Sequence, residues 1–291
     1  MMSDTINKDK SKNNIGIVGL GLIGASLAGA LKRSGYRVFG IDKDKSTLDF
    51  AVLAGTVDAP LTTEELRNCD FIFIAISIDA AEDWLIENAE YIGSETTIID
   101  CCGVKRNICA LGEELSQKHG FGFMGGHPMA GKQVGGFKNS NPDLFNSATF
   151  CLVPQDKNDI GLMVKIKDVL KDAGFSKFIV MKPDEHDRVI AFTSQLAHLV
   201  SNAYIKSDIA DTEEVALLSG GAFRDMTRVA YLDEDMWTDL FMENRDNLLR
   251  ELKEFIAGLE LYKDALEKED ESAITRLLLE GKKRKEEIEN I

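Results

Sequence analysis

The segment IGIVGLGLIGASLAGAL, residues 15–31, leaves few folds open to this chain. A run rich in Ile and Val ends on Gly19, and Gly21 and Gly24 then open a stretch spaced for a helix. The G-x-G-x-x-G spacing carries meaning only between a strand and a helix, and it stands there here. Gly19 permits a tight turn, Gly21 lets a ligand approach the backbone, and Gly24 lets helix and strand pack closely. The amides of Leu22 and Ile23, at the start of the helix, are aimed to meet a phosphate.

The next strand, in YRVFGID, ends on Asp42, 18 residues beyond Gly24. That is close to the spacing of the carboxylate that takes the ribose hydroxyls of a dinucleotide, and it would repel a 2′-phosphate. NAD is therefore expected over NADP, although Lys43 and Lys45 soften the repulsion. Ser77 closes the apolar run DFIFIAIS, where it is either a further cofactor contact or a turn residue.

Short β-rich runs alternate with helical stretches from Asn14 to Met181, which predicts an open parallel sheet covered on both faces. After Pro183 no strand signal returns, and Asp184–Lys206, Thr212–Thr227, Asp235–Tyr262 and Glu271–Asn290 all read as helices. The expected organisation is a disordered leader over 1–13, an α/β Rossmann-type dinucleotide-binding domain over 14–181, and an all-α domain over 182–291. Apolar helix faces beside such a head must be buried, which predicts a homodimer through the helical part.

A formal net charge of -15 argues against nucleic-acid or anionic membrane partners, and the longest apolar run is too short to span a bilayer. The five cysteines are odd in number, two are adjacent and none form a CxxC pair. Reduced thiols in a cytoplasmic protein fit this pattern better than a disulfide framework or a metal site.

The second chemical signal is GGHPMAGKQVGG, residues 125–136. A strand from Phe121 to Met124 leads into a glycine-flanked loop, which puts His127 on the nucleotide-loop edge of the sheet, held by Pro128. In FTSQLAHLVSNAYI, Ser194, His198 and Ser201 share one helix face; they either bind substrate or bond a neighbouring helix. In SGGAFRDMTRVA, Arg228 lies one turn from Arg224 and Asp225, as a carboxylate fork or as an ordinary salt bridge. His119 and His186 carry no role on this reading.

Taken together, IVGLGLIGASLA, DCCGVK, GGHPMAGKQVGGF, EHDRVIAFTSQLAHLV, GGAFRDMTRVA and MWTDLFMENRDNLL resemble the prephenate dehydrogenase family, which includes the arogenate dehydrogenases. The resemblance implies a Rossmann domain, a helical dimerisation domain, and NAD(P)-dependent oxidative decarboxylation of prephenate or arogenate. It implies that His127 is the catalytic histidine, that His198 faces the substrate and that Arg228 binds a carboxylate. Gln133, beside the histidine, becomes a candidate for sensing the substrate side chain. Gly103 departs from the pattern, because many members carry a serine there. Set against that family, the chain is expected to carry neither a mutase domain ahead of the Rossmann part nor an appended regulatory domain. The rival readings are a β-hydroxyacid dehydrogenase and an NAD-binding sensor without turnover.

Overall fold

The computed structural model describes residues 13–132, 134–154 and 160–290. The expected leader, apart from Asn13, and the candidate Gln133 lie outside the described residues.

The first strand, β1 (Asn14–Val18), is fully buried from Ile15 onward and turns at Gly19 into helix α1 (Leu22–Arg33). Lys32 and Arg33 in the last turn of α1 complement its dipole. The chain then alternates through β2 (Arg37–Ile41), α2 (Lys45–Leu53), β3 (Ala59–Pro60), α3 (Thr63–Asn68), β4 (Phe71–Ile74), α4 (Ile78–Asn88), β5 (Thr97–Asp100), α5 (Arg106–His119) and β6 (Gly122–Met129). Two further strands, β7 (Thr149–Pro154) and β8 (Lys177–Val180), flank α6 (Ile160–Asp172). The eight strands lie in the order β3-β2-β1-β4-β5-β6-β7-β8. The first six follow the doubly wound dinucleotide-binding order, with the switch point between β1 and β4.

One apolar layer, including Leu27, Leu31, Ile166 and Phe150, covers one face of the sheet, and another, including Leu66, Leu85 and Ile108, covers the other. The register aligns the carboxyl ends: Val18 lies beside both Ile41 and Ile74, and Ile74 lies beside Asp100. Everything that follows those residues therefore emerges on one edge.

Three expectations about the strands are corrected. The sheet is not wholly parallel, because β7 runs antiparallel to β6. The link between them holds only a short 3-10 turn, Phe137–Asn139, among its described residues, with no crossover helix to return the chain to a parallel start. His127 is not on a loop: β6 continues through it, pairing His127 with Cys151. Beyond Met124 the strand has outrun β5 and has a sheet neighbour only on the β7 side, the kind of position where a proline such as Pro128 is tolerated. Finally, β4 ends at Ile74, and Ser77 is the N-cap residue of α4 rather than a strand end.

After Val180 the described chain is helical. The run α7 (Pro183–Ile190), a π-helical turn (Ala191–Leu196) and α8 (Ala197–Tyr204) is continuous. The stretch predicted as one helix over 212–227 is two, α9 (Glu213–Leu218) and α10 (Gly221–Thr227), broken at Ser219 and Gly220. The stretch over 235–262 is likewise divided at Asn244 into α11 (Glu234–Glu243) and α12 (Arg245–Glu267), and α13 (Glu271–Glu289) follows.

Candidate active site

The nucleotide loop is built so that glycine is required at two of its three positions. Gly19 has φ +87°, and a Cβ there would meet Ile76 at 2.3 Å. A Cβ on Gly24 would lie 1.8 Å from the Gly19 carbonyl, so this glycine is what lets α1 pack on the turn. A Cβ on Gly21 would meet nothing within 4 Å, so the space above it is open to a ligand. Gly21 is also the N-cap of α1 and supplies no side-chain cap, which leaves the first-turn amides of Leu22 and Ile23 without a capping side chain.

Asp42 receives the Leu20 amide on Oδ2 at 2.7 Å and the Asp44 amide on Oδ1 at 2.9 Å. These bonds lock the carboxylate beside the loop, and each oxygen retains a lone pair for a ribose hydroxyl. Open space at Gly21, uncapped amides and an anchored carboxylate together fit a dinucleotide. Ser77 is exposed near this edge, at an N-cap position without a side-chain capping bond.

His127 stands where β6 passes the end of β5. Its Nδ1 lies 2.9 Å from His186 Nε2, and His186 Nδ1 lies 2.7 Å from Asp187 Oδ1. The ring keeps some solvent access, yet its packed surroundings hold its pKa well below the ordinary 6.5. Burial is the largest cause, followed by His186 and then the Lys105 ammonium. The imidazole is thus neutral at physiological pH and able to take a proton.

The two glycines that precede it are required by packing. A Cβ on Gly125 would strike Cys109 Sγ at 2.5 Å, and one on Gly126 would strike the Asp100 carbonyl at 2.5 Å and Phe150 at 2.7 Å. They let the strand sit tightly among its neighbours rather than make room for a bound ring.

Beneath His127 lies a buried ion pair that the sequence reading passed over. Lys105 and Asp100 are both fully buried, with the Lys105 ammonium on Asp100 Oδ1. Asp100 also accepts the Cys102 amide on Oδ1 at 2.9 Å and the Gly126 amide on Oδ2 at 3.0 Å. It ties the end of β5 to the strand that carries His127. Cys101, Cys102, Cys109 and Cys151 cluster about this pair, and burial raises all four thiols, Cys151 to about 11. None is a rival base at neutral pH. Gly103 faces α11: a Cβ there would lie 2.9 Å from Leu240, so the helical part fills the space that a serine side chain would occupy.

The α7–α8 run carries both His186 and His198, twelve residues apart, or about 18 Å along an α-helical axis. His198 Nδ1 donates to the Ser194 carbonyl at 2.8 Å, which leaves Nε2 as an acceptor in the neutral ring. Its ring packs tilted against Trp237 of α11, the centroids 4.1 Å apart, and burial with the Arg228 charge lowers its pKa. Arg228 sits exposed at the C-cap of α10. The expected stripe of Ser194, His198 and Ser201 is not a single ligand face. Ser201 donates to the Met226 carbonyl at 2.6 Å, a helix–helix bond, and the wider π turn shifts the register between Ser194 and the rest.

Head and tail are joined next to the histidines. Arg106 forks onto Asp246, with Nη1 to Oδ2 at 2.8 Å, and its Nε lies 3.5 Å from Asp187 Oδ2. Asn244, at the α11–α12 break, donates to the Asp187 carbonyl and to Gln195 Oε1, both at 2.8 Å. Among the described residues no cluster of three or more His, Cys, Asp or Glu could hold a metal ion.

A dinucleotide fold with a neutral histidine on its ligand edge, roofed by helices, defines a two-domain nicotinamide-dependent dehydrogenase. Comparison with known proteins narrows the class. Residues 27–179 match the family model described as prephenate dehydrogenase, nucleotide-binding domain, and residues 182–280 match prephenate dehydrogenase, dimerization domain. The chain belongs to the prephenate dehydrogenase family. It is 29% identical over 276 residues to prephenate dehydrogenase of Bacillus subtilis (strain 168), covering 92% of this chain and 74% of that one. The crystal structure of prephenate dehydrogenase from A. aeolicus in complex with hydroxyphenyl propionate and NAD+ superimposes with a TM-score of 0.80 at 30% identity, covering 95% and 98% of the two chains. Synechocystis arogenate dehydrogenase superimposes with a TM-score of 0.78 at 28% identity, covering 94% and 99%. The matched nucleotide-binding segment begins after the glycine loop, so the case for Gly19, Gly21 and Gly24 rests on the loop's own geometry.

Proposed function

We propose that this protein catalyses the NAD-dependent oxidative decarboxylation of prephenate to 4-hydroxyphenylpyruvate. The observation that carries the reading is His127, held neutral by burial at the ligand edge of a dinucleotide fold whose family is prephenate dehydrogenase. Gly21, Leu22, Ile23 and Asp42 would hold the dinucleotide, with Gly19 and Gly24 shaping the turn and Ser77 nearby. When bound, NAD would supply the acceptor for the hydride on the substrate's hydroxyl-bearing carbon.

His127 takes the hydroxyl proton as that carbon is oxidised. The bond to the ring carboxylate then breaks, and its electron pair passes into the ring and on to the ring oxygen. His127 can return the proton to that oxygen, giving a phenol and carbon dioxide with no net proton released. Rearomatisation makes the loss of carbon dioxide favourable. Arg228 is assigned to a substrate carboxylate and His198 to the side-chain end. Arogenate, the substrate in the name of the Synechocystis relative, differs only at that side chain and is the second reading.

The enzyme works as a homodimer on this reading. The helical part leaves Leu217, Leu218, Phe255, Leu259 and Leu261 exposed, whereas its buried apolar residues are few, including Ile190, Leu196, Leu248 and Ala265. A cytoplasmic setting fits the five free cysteines.

Steady-state rates with prephenate and arogenate, each with NAD and NADP, test the assignment. Turnover of neither substrate with either cofactor would refute it. His127→Asn is expected to lower kcat by about 10²–10⁴-fold, as for loss of a general base, with NAD affinity unchanged. Arg228→Ala is expected mainly to raise KM, because a carboxylate anchor acts in ground and transition states alike. The same kinetic series, with NAD binding measured by fluorescence, checks both.

A further inference from the structure

A neutral imidazole is a base at only one of its two nitrogens, so the proton acceptor named above requires a device that chooses the nitrogen. The described structure offers one. Asp187 caps the N-terminus of α5 from outside that helix: its Oδ1 accepts the Lys105 amide at 2.8 Å and its Oδ2 the Arg106 amide at 3.0 Å. Lys105, the N-cap residue, supplies no side-chain cap of its own. Both oxygens of Asp187 thus accept backbone amides, with the Arg106 Nε 3.5 Å from Oδ2, so toward His186 the side chain stands as an acceptor. His186, buried with it, must therefore direct an N–H from Nδ1 to Asp187 Oδ1 across 2.7 Å. In the neutral ring this leaves Nε2 as an acceptor, and the atom facing it at 2.9 Å is His127 Nδ1.

We propose that His186 and Asp187 are positioning residues that fix the tautomer of His127, with Nδ1 protonated and donating to His186 so that Nε2 is the bare, basic nitrogen. The inference rests on the reading of His127 as the proton acceptor. All hydrogen bonds in the series run one way, from His127 to His186 to Asp187. The other charged groups at this place are already committed: Lys105 to Asp100, and Arg106 to Asp246 and Asp187. The arrangement also joins the two parts of the chain, since His127 lies in the sheet and the pair that orients it opens the helical run.

The test begins with the unmodified full-length protein carrying ¹⁵N-labelled histidine, saturated with NAD. Long-range ¹H–¹⁵N spectra report the tautomer of each of its four histidines, and the His127→Asn spectrum assigns the His127 signals. Nδ1–H on both His127 and His186 is the expected result. A proton on His127 Nε2 overturns the proposal, and this measurement needs no variant at His186 or Asp187 to fold.

Kinetics supply the second arm. His186→Phe, which cannot accept, is expected to lower kcat by on the order of 10²-fold or more while KM and NAD affinity stay within about twofold. His186→Gln, whose amide oxygen can stand where Nε2 stands, is expected to recover part of that loss. Unchanged kcat in a folded His186→Phe enzyme overturns the proposal. An unmodified enzyme that turns over neither cyclohexadienyl substrate removes the underlying reaction instead, and the tautomer spectra still decide the relay on its own.

Discussion

His127, the side chain proposed to take the substrate proton, gains its character from neighbours remote in sequence. Burial, His186 and Lys105 all act to disfavour its charged form, so its folded pKa lies below the 6.5 it has when unfolded. His198 is shifted in the same direction, so neither ring imposes an acid limb at the ordinary histidine value. The acid limb of kcat/KM is therefore expected below pH 6.5, and a pH–rate profile between pH 5 and 9 checks it. Linkage gives a matching consequence for stability. As pH falls through 6.5 the unfolded chain takes up a proton at this position and the folded chain does not, so stability falls toward acid. Denaturant titrations at pH 7 and pH 5.5 are expected to show a smaller loss for His127→Asn than for the unmodified protein.

Two junctions in this protein are fixed by buried polar side chains whose partners lie elsewhere in the fold. The end of β5 is held to β6 through Asp100, whose two oxygens serve the Cys102 and Gly126 amides and the Lys105 ammonium. Removing the cation leaves a buried carboxylate with amide donors but no counter-charge. Lys105→Met, which keeps an apolar stem of similar length, is expected to destabilise the fold by about 3–5 kcal/mol, measured by chemical denaturation. The break between α11 and α12 has a comparable origin, because the buried Asn244 turns its amide to the Asp187 carbonyl and to Gln195. Neither junction was legible beforehand. Asp100, Lys105 and Asn244 read as ordinary polar residues until their partners are known. The glycine loop, by contrast, was legible, because Gly24 is required by the Gly19 carbonyl five residues before it and Gly19 by its own positive φ.

At the scale of the molecule the two parts differ in how much they bury. The sheet is covered on both faces by apolar layers, whereas the helices after Pro183 present many large apolar side chains to solvent, Leu218 at 84% and Leu217 at 77% among them. Such a surface on a chain of net charge -15 calls for a specific partner of the same shape rather than a polyanion. Light scattering at micromolar concentration is expected to give a mass near twice 32.2 kDa. A charged substitution such as Leu259→Glu, on one of these exposed positions, is expected to shift the protein toward monomer if that position is covered by the second copy. A monomeric unmodified protein would remove the dimer.

What the sequence by itself determined is what local physics can encode: the alternation of strands and helices, the glycine turn between β1 and α1, the change to helix at Pro183, and a histidine at the carboxyl edge of the sheet. Each depends on side-chain period, glycine conformation or proline geometry over a few neighbouring residues. The tertiary structure decided the rest. GGHPM has poor strand propensity and reads as a loop, yet pairing with β7 extends β6 through it. Ser201, one of three residues on a single apparent face, turned to a neighbouring helix across 25 positions. His186 and Asp187 carried no signal, because the contact that gives them meaning joins positions 59 apart, and hydrogen-bond direction is set by the whole chain of partners rather than by any residue in it.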